Sequence, residues 1–250
     1  MKSQPPFTTY KQLIIGLPET GKTTFLAALW HVVNSKELAD SLQLLKLEGD
    51  RKHLNIIRTA WLEFREVGRT VSTTEEVVSM KLGQTGKSEA AELIFPDMSG
   101  ESFRKQWVER KWTKEYDELV ANASGIFLFV HPLKVTAPDR IDAAIQQAVA
   151  ALADEDDQTQ DAKAVDDESK LPEWNPAQAP TQVQLIELLQ FIDERRNEEA
   201  VIPVALIVSA WDVNVGSYGS PGDWLVNRMP LLDQYLKANR EAVSIPGLRN

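Results

Sequence analysis

Thirty-seven acidic against 27 basic side chains in 250 residues leave a net charge of −10, which argues against a broad nucleic-acid or anionic-membrane surface. The absence of cysteine excludes disulfides, thiolate metal sites and cysteine nucleophiles, and points to the cytoplasm. A hydrophobic fraction of 43% supports one full α/β core, and with no run of about 18 apolar residues, no apolar signal core in MKSQPPFTTYKQ and no lipidation motif, no membrane element is expected.

In chain order, Lys11–Gly16 is predicted as a buried parallel strand, continuous and apolar at Leu13, Ile14 and Ile15. A glycine-rich turn follows, then a helix with Phe25, Leu29, Val32 and Val33 on one face. Leu54, Ile57, Trp61 and Phe64 mark a second helix, ended by Gly68. GRTVSTTEE, Gly68–Glu76, is polar and hydroxyl-rich and is expected as a loop. Val77–Leu82 and Ala91–Phe95, separated by GQTGKS, are predicted as an antiparallel hairpin. Phe103, Trp107 and Val108 open a helix running to about Val120.

Gly125–Val130 is a third buried strand candidate, and a fourth lies around Val204–Val208. Between them, after a helix at Ile141–Leu152, residues 153–181 are acidic, rich in alanine and proline and poor in aliphatic side chains, and are expected as a flexible insertion. A helix over Gln182–Arg196 re-enters the core through Leu185, Leu188, Leu189 and Ile192. A last helix carries Leu225, Met229, Leu232 and Leu236. Strands alternating with helices imply an α/β fold, a mostly parallel sheet with helices on both faces and one antiparallel hairpin. Ligands on such sheets bind at the carboxyl ends of the strands.

Gly16-Leu17-Pro18-Glu19-Thr20-Gly21-Lys22-Thr23 matches G-x-x-x-x-G-K-[ST] between a strand and a helix. The two glycines let the backbone of Glu19, Thr20 and Gly21 turn its N–H groups towards phosphates. Lys22 supplies a cation for the β- and γ-phosphates, and Thr23 offers a hydroxyl to Mg²⁺. Thr24 belongs to the same helix start, whose positive dipole end faces the anion. In ELIFPDMSGES, Asp97 follows an apolar strand and can hold the Mg²⁺ shell, while Gly100 can bring its N–H to the γ-phosphate. In VSAWDV, Asp212, supported by Ser209, can accept both hydrogen bonds of the guanine edge, a pair that adenine cannot donate.

This order of motifs resembles the translation-factor and Ras-like class of P-loop GTPases. FPDMSGES together with SAWD resembles the bacterial double-GTPase proteins of conflict, or anti-phage, systems. The resemblance implies GTP or GDP and Mg²⁺ as cofactors and slow GTP hydrolysis in a switch cycle. It assigns Gly16, Gly21, Lys22 and Thr23 to phosphate and Mg²⁺, Asp97 and Gly100 to the third GTPase motif and Asp212 to the base. GTPases of this class complete the Mg²⁺ shell with a first-switch threonine, here Thr73, with Thr70 and Thr74 as alternatives. Arg69 stands where it can serve as an internal arginine finger, and Glu101 occupies the place of the water-positioning glutamine.

The chain departs from the class pattern in three ways. N-K-x-D is replaced by Ser209-Ala210-Trp211-Asp212, Glu101 replaces glutamine, and no clear closing strand, S-A-x base loop and helix precede Asn250. Either a fragment of a longer protein or an early end to the fold is expected. Trp107 and Trp112, beside Arg104, Lys105, Arg110 and Lys111, suggest a nucleotide-dependent protein-partner face on the helix starting near Glu101. Two other readings stand beside a GTPase switch: a nucleotide-binding module that does not hydrolyse, and a P-loop ATPase with a merely structural Asp212.

Overall fold

The computed structural model describes residues 8–35, 42–65, 77–96, 106–138, 176–196, 201–214 and 218–240. In chain order the elements are β1 (Thr8–Gly16), α1 (Lys22–Ser35), β2 (Gln43–Glu48), α2 (Arg51–Leu62), β3 (Val78–Gly83), β4 (Glu89–Phe95), α3 (Lys114–Ala121), β5 (Gly125–Val130), α4 (Thr181–Arg195), β6 (Val204–Val208), α5 (Pro221–Arg228) and α6 (Pro230–Asn239). The strands form one sheet in the order β2-β3-β4-β1-β5-β6. β4, β1, β5 and β6 are parallel neighbours, whereas β3 runs against both β2 and β4. The expected mostly parallel α/β sheet with its hairpin is therefore present, with one further edge strand.

Alternation along the central strands divides the core. Leu13, Ile15, Ile126, Leu128 and Val130 pack with α3, α4, α5 and α6 on one face. Ile14, Leu93, Phe95 and Phe129 pack with α1 and α2 on the other. Successive strand side chains point to opposite faces, so a strand covered by helices on both sides reads as a continuous apolar run. No helix among the described residues is long and apolar enough to cross a membrane.

Several expectations are corrected. β2 was not anticipated: as an edge strand it buries little, and a register shift between Leu44 and Lys46 disrupts its alternation. In α1 the buried residues are Leu26, Ala27, Trp30 and Val33, while Phe25 and Leu29 are partly buried and Val32 is exposed. That helix is apolar over much of its circumference, so spacing alone does not fix which residues face the sheet. Phe64 lies outside α2, with φ of 55° and 99% exposure, because the helix ends at Leu62 and the chain turns left-handed.

The helix expected from Phe103 to Val120 is divided: residues 106–109 are helical, Arg110 has φ of 51°, and Thr113 caps a new helix at Lys114. Leu225, Met229, Leu232 and Leu236 are all buried as expected, but Leu225 lies on α5, Leu232 and Leu236 on α6, and Met229 at the junction between them. Pro230 forces the break by pushing Met229 out of the helical region, to φ −137° and ψ 54°.

The expected helix 141–152 and residues 153–175 of the insertion lie outside the described residues. Its last part is not a free spacer: Pro176–Gln178 form a 3₁₀ turn, Ala179 and Thr181 are buried, and Trp107 Nε1 donates to the Pro176 carbonyl at 2.8 Å. Trp112 packs edge-on against Tyr116 and beside Phe191. Both tryptophans are partly buried and pack against the core.

The fold is also fastened by Arg240, whose side chain is 1% exposed. It donates to both Asp193 oxygens at 3.0 and 2.7 Å and to the Ile202 carbonyl at 3.0 Å. Asp193→Ala leaves that guanidinium buried without its counter-charge and is expected to cost about 3 kcal/mol by urea denaturation. Replacing both partners by leucine should recover most of the loss, because no unpaired charge then remains.

Candidate nucleotide-binding site

β1 ends at Gly16 and α1 begins at Lys22, so the glycine-lysine motif forms the connection between them. Two glycines are required there. A Cβ on Gly16, at φ 153°, would lie 2.5 Å from the Phe129 carbonyl oxygen and 2.9 Å from Thr20 Oγ1. Gly21 has φ of 89°, and a Cβ on it would lie 3.1 Å from Ser209 Cβ. The turn is thus pressed against β5 on one side and the loop after β6 on the other. Glu19 also takes a left-handed conformation, with φ of 63°.

Lys22 folds its ammonium back over the turn. Nζ donates to the Gly16 carbonyl at 2.7 Å, the Leu17 carbonyl at 2.8 Å and Thr20 Oγ1 at 3.3 Å. Thr20, itself buried, donates to the Leu17 carbonyl at 2.8 Å. All three ammonium protons are therefore engaged, but by neutral acceptors. Burial without a counter-anion lowers the Lys22 pKa to about 8. The arrangement favours an arriving anion: phosphate oxygens are stronger acceptors for a buried cation than carbonyls.

Thr23 and Thr24 lie in the first turn of α1, Thr23 partly buried and Thr24 exposed. Thr23, beside Lys22, has the position and donor chemistry for a divalent cation. Among the described residues no group of three or more His, Asp or Glu side chains can cage a metal. A hydroxyl oxygen such as that of Thr23 is a hard donor of the kind magnesium takes.

The sheet brings two more loops to the same edge. β5 pairs with both β1 and β6, and Ser209 closes the last gap, its N–H and hydroxyl donating to the Val130 carbonyl at 2.9 and 3.1 Å. Ala210 turns left-handed at φ 45°, Trp211 packs on the α3–α6 core, and Asp212 is exposed in a 3₁₀ turn. Trp211 acts as an anchor for this loop, which leaves the Asp212 carboxylate accessible.

After β5, His131 organises a turn, accepting the Leu133 N–H at Nδ1 (3.2 Å) and the Lys134 N–H at its carbonyl (3.0 Å). Burial, and then the nearby Lys134 charge, lower the His131 pKa and favour the neutral ring that this turn requires. Lys134 pairs with Glu19 at 2.9 Å. No local motif announces this contact, because it joins segments more than a hundred residues apart.

Gly16, Glu19, Thr20, Gly21, Lys22 and Thr23 are thus gathered with Ser209 at one edge, and Asp212 lies three residues beyond Ser209. Arg69, Thr73, Asp97, Gly100 and Glu101 lie outside the described residues, as do Thr70 and Thr74. β4, which leads towards Asp97, is parallel to β1 and ends at Phe95 on the same edge.

A central parallel strand passing through a glycine-lysine turn into a helix defines a P-loop protein of the α/β class. A family model described as Double-GTPase 1 matches residues 13–249, and the chain belongs to that family. It is accordingly a GTPase-family domain. No curated protein matches the chain.

Proposed function

We propose that this chain is a Mg²⁺-dependent GTP-binding switch that hydrolyses GTP slowly. The observation that carries the reading is the Lys22 ammonium, buried over the Gly16–Gly21 turn and bonded only to neutral acceptors. The backbone N–H groups of Glu19 to Thr23, with Lys22, would bind the phosphates; Thr23, with Asp97 and Thr73, would hold the cation. Bound there, Mg²⁺ would neutralise phosphate charge. Asp212 would accept the guanine N1–H and 2-amino protons, and Ser209 fixes the loop that carries it. Gly100 would sense the γ-phosphate, Glu101 would orient the attacking water and Arg69 would add charge at the phosphates.

A protein partner engaging the switch segments and the helix near Glu101, a cytoplasmic setting and a role in anti-phage defence complete the proposal. The defence role rests on the family resemblance and is tested by plaque formation with and without the intact phosphate turn.

Nucleotide released from the purified protein by denaturation should be GDP or GTP. Asp212→Ala should reduce the preference for GTP over ATP about 100-fold, since two hydrogen bonds to a charged acceptor are lost. Fluorescent-nucleotide titration measures that ratio, and phosphate release with Mg²⁺ measures turnover. Equal ATP and GTP binding that survives Asp212→Ala would assign the chain to the ATPase reading, while tight GTP binding without phosphate release would identify a non-hydrolysing module.

A further inference from the structure

One ion pair at the candidate site has no part in the reading above. Glu19 places a carboxylate on a turn otherwise suited to bind anions, and its left-handed backbone holds it there. Lys134 meets that carboxylate at 2.9 Å from the loop after β5. This loop is built at both ends. His131 fixes the turn that presents Lys134, and Thr136 exchanges bonds with Thr181 at the start of α4, its N–H donating to Thr181 Oγ1 at 2.8 Å and its carbonyl accepting at 3.0 Å. Because β5 lies between β1 and β6 and parallel to both, the loop after it leaves the sheet at the same end as the glycine-lysine turn and the loop carrying Asp212.

We propose that Lys134 is a further nucleotide-binding residue, held on Glu19 in the nucleotide-free protein and transferred to the phosphates of a guanine nucleotide when it binds. The proposal rests on the nucleotide-binding reading above. The physical reason is competition for one cation: a polyphosphate carries more negative charge than a single carboxylate. Both side chains of the pair are about half exposed, at 54% for Lys134 and 41% for Glu19. Such a pair contributes little to folding, so exchanging its anion costs little. Lys134 offsets the Glu19 charge that incoming phosphates would otherwise meet more strongly.

The test is GDP affinity by calorimetry in wild type, Lys134→Ala, Glu19→Gln and the double variant, with thermal melts of each. Lys134→Ala should weaken GDP binding about tenfold and reduce its salt dependence. Glu19→Gln should tighten binding severalfold by releasing the lysine, and that gain should shrink markedly in the Lys134→Ala background. Melting temperatures should be nearly unchanged throughout.

Wild-type affinity in Lys134→Ala would overturn the proposal. So would an equal Glu19→Gln gain with and without Lys134, which would make Glu19 a simple repulsive charge. Failure of the wild-type protein to bind any guanine nucleotide would instead overturn the function proposed above.

Discussion

Replacing Lys22 by methionine is expected to weaken GTP and GDP binding by about 100- to 1000-fold without destabilising the fold. Methionine keeps the apolar stem but leaves phosphate oxygens facing no cation, a loss of roughly 3–4 kcal/mol. The folded protein, in contrast, is relieved of a buried ammonium whose acceptors are all neutral. Urea denaturation of the nucleotide-free variant should therefore show equal or higher stability, which separates a binding defect from misfolding.

The pH dependence sharpens this expectation. The Lys22 pKa is lowered by burial from its ordinary value of 10.5 to about 8. Between those values the native state binds fewer protons than the unfolded chain, so Lys22's contribution to stability becomes more favourable as pH rises. Nucleotide affinity should move the other way. Phosphates retain the lysine proton, so above about pH 8 binding takes up a proton and weakens, by at most about tenfold per pH unit. Calorimetry in buffers of different ionisation enthalpy measures that uptake, and Lys22→Met should abolish it.

Gly16→Ala is expected to remove about 3 kcal/mol of stability and nucleotide binding with it. The new methyl would sit 2.5 Å from the Phe129 carbonyl oxygen, a backbone atom in a central strand that has no room to yield. The clash adds to the strain of φ 153°. Gly86→Ala is the natural comparison. Its φ is also positive, at 80°, but nothing lies within 4 Å of the added carbon, so about 1 kcal/mol is expected from backbone strain alone. Urea midpoints of the two variants distinguish a position that is merely left-handed from one where the phosphate turn is wedged against β5.

These contrasts separate what could be read along the chain from what could not. The core strands β1, β5 and β6 were legible because each carries a continuous apolar run and leads into a turn and a helical pattern. β2 was not, because an edge strand half in solvent and interrupted by a bulge has neither a run nor a period. The break at Pro230 was written in the sequence, and the apolar spacing across it obscured it: Leu225, Met229, Leu232 and Leu236 keep a helical interval although two helices and the junction between them carry these residues. The pairing of buried Arg240 with the half-buried Asp193 left no signal, since each residue alone reads as a surface charge.

By itself the sequence determined the local shape of the glycine-lysine turn, because glycine torsions, a lysine and a hydroxyl at a helix start act within eight consecutive residues. It also determined the class of fold, through alternating strand and helix periods. Only the tertiary structure decided which distant groups meet that turn: the Phe129 carbonyl that forbids a side chain at Gly16, Ser209 packed on Gly21, and Lys134 paired with Glu19. Those contacts depend on β5 lying between β1 and β6. Strand order reflects how whole faces are buried against α1–α2 and α3–α6, and no single segment's spacing encodes it.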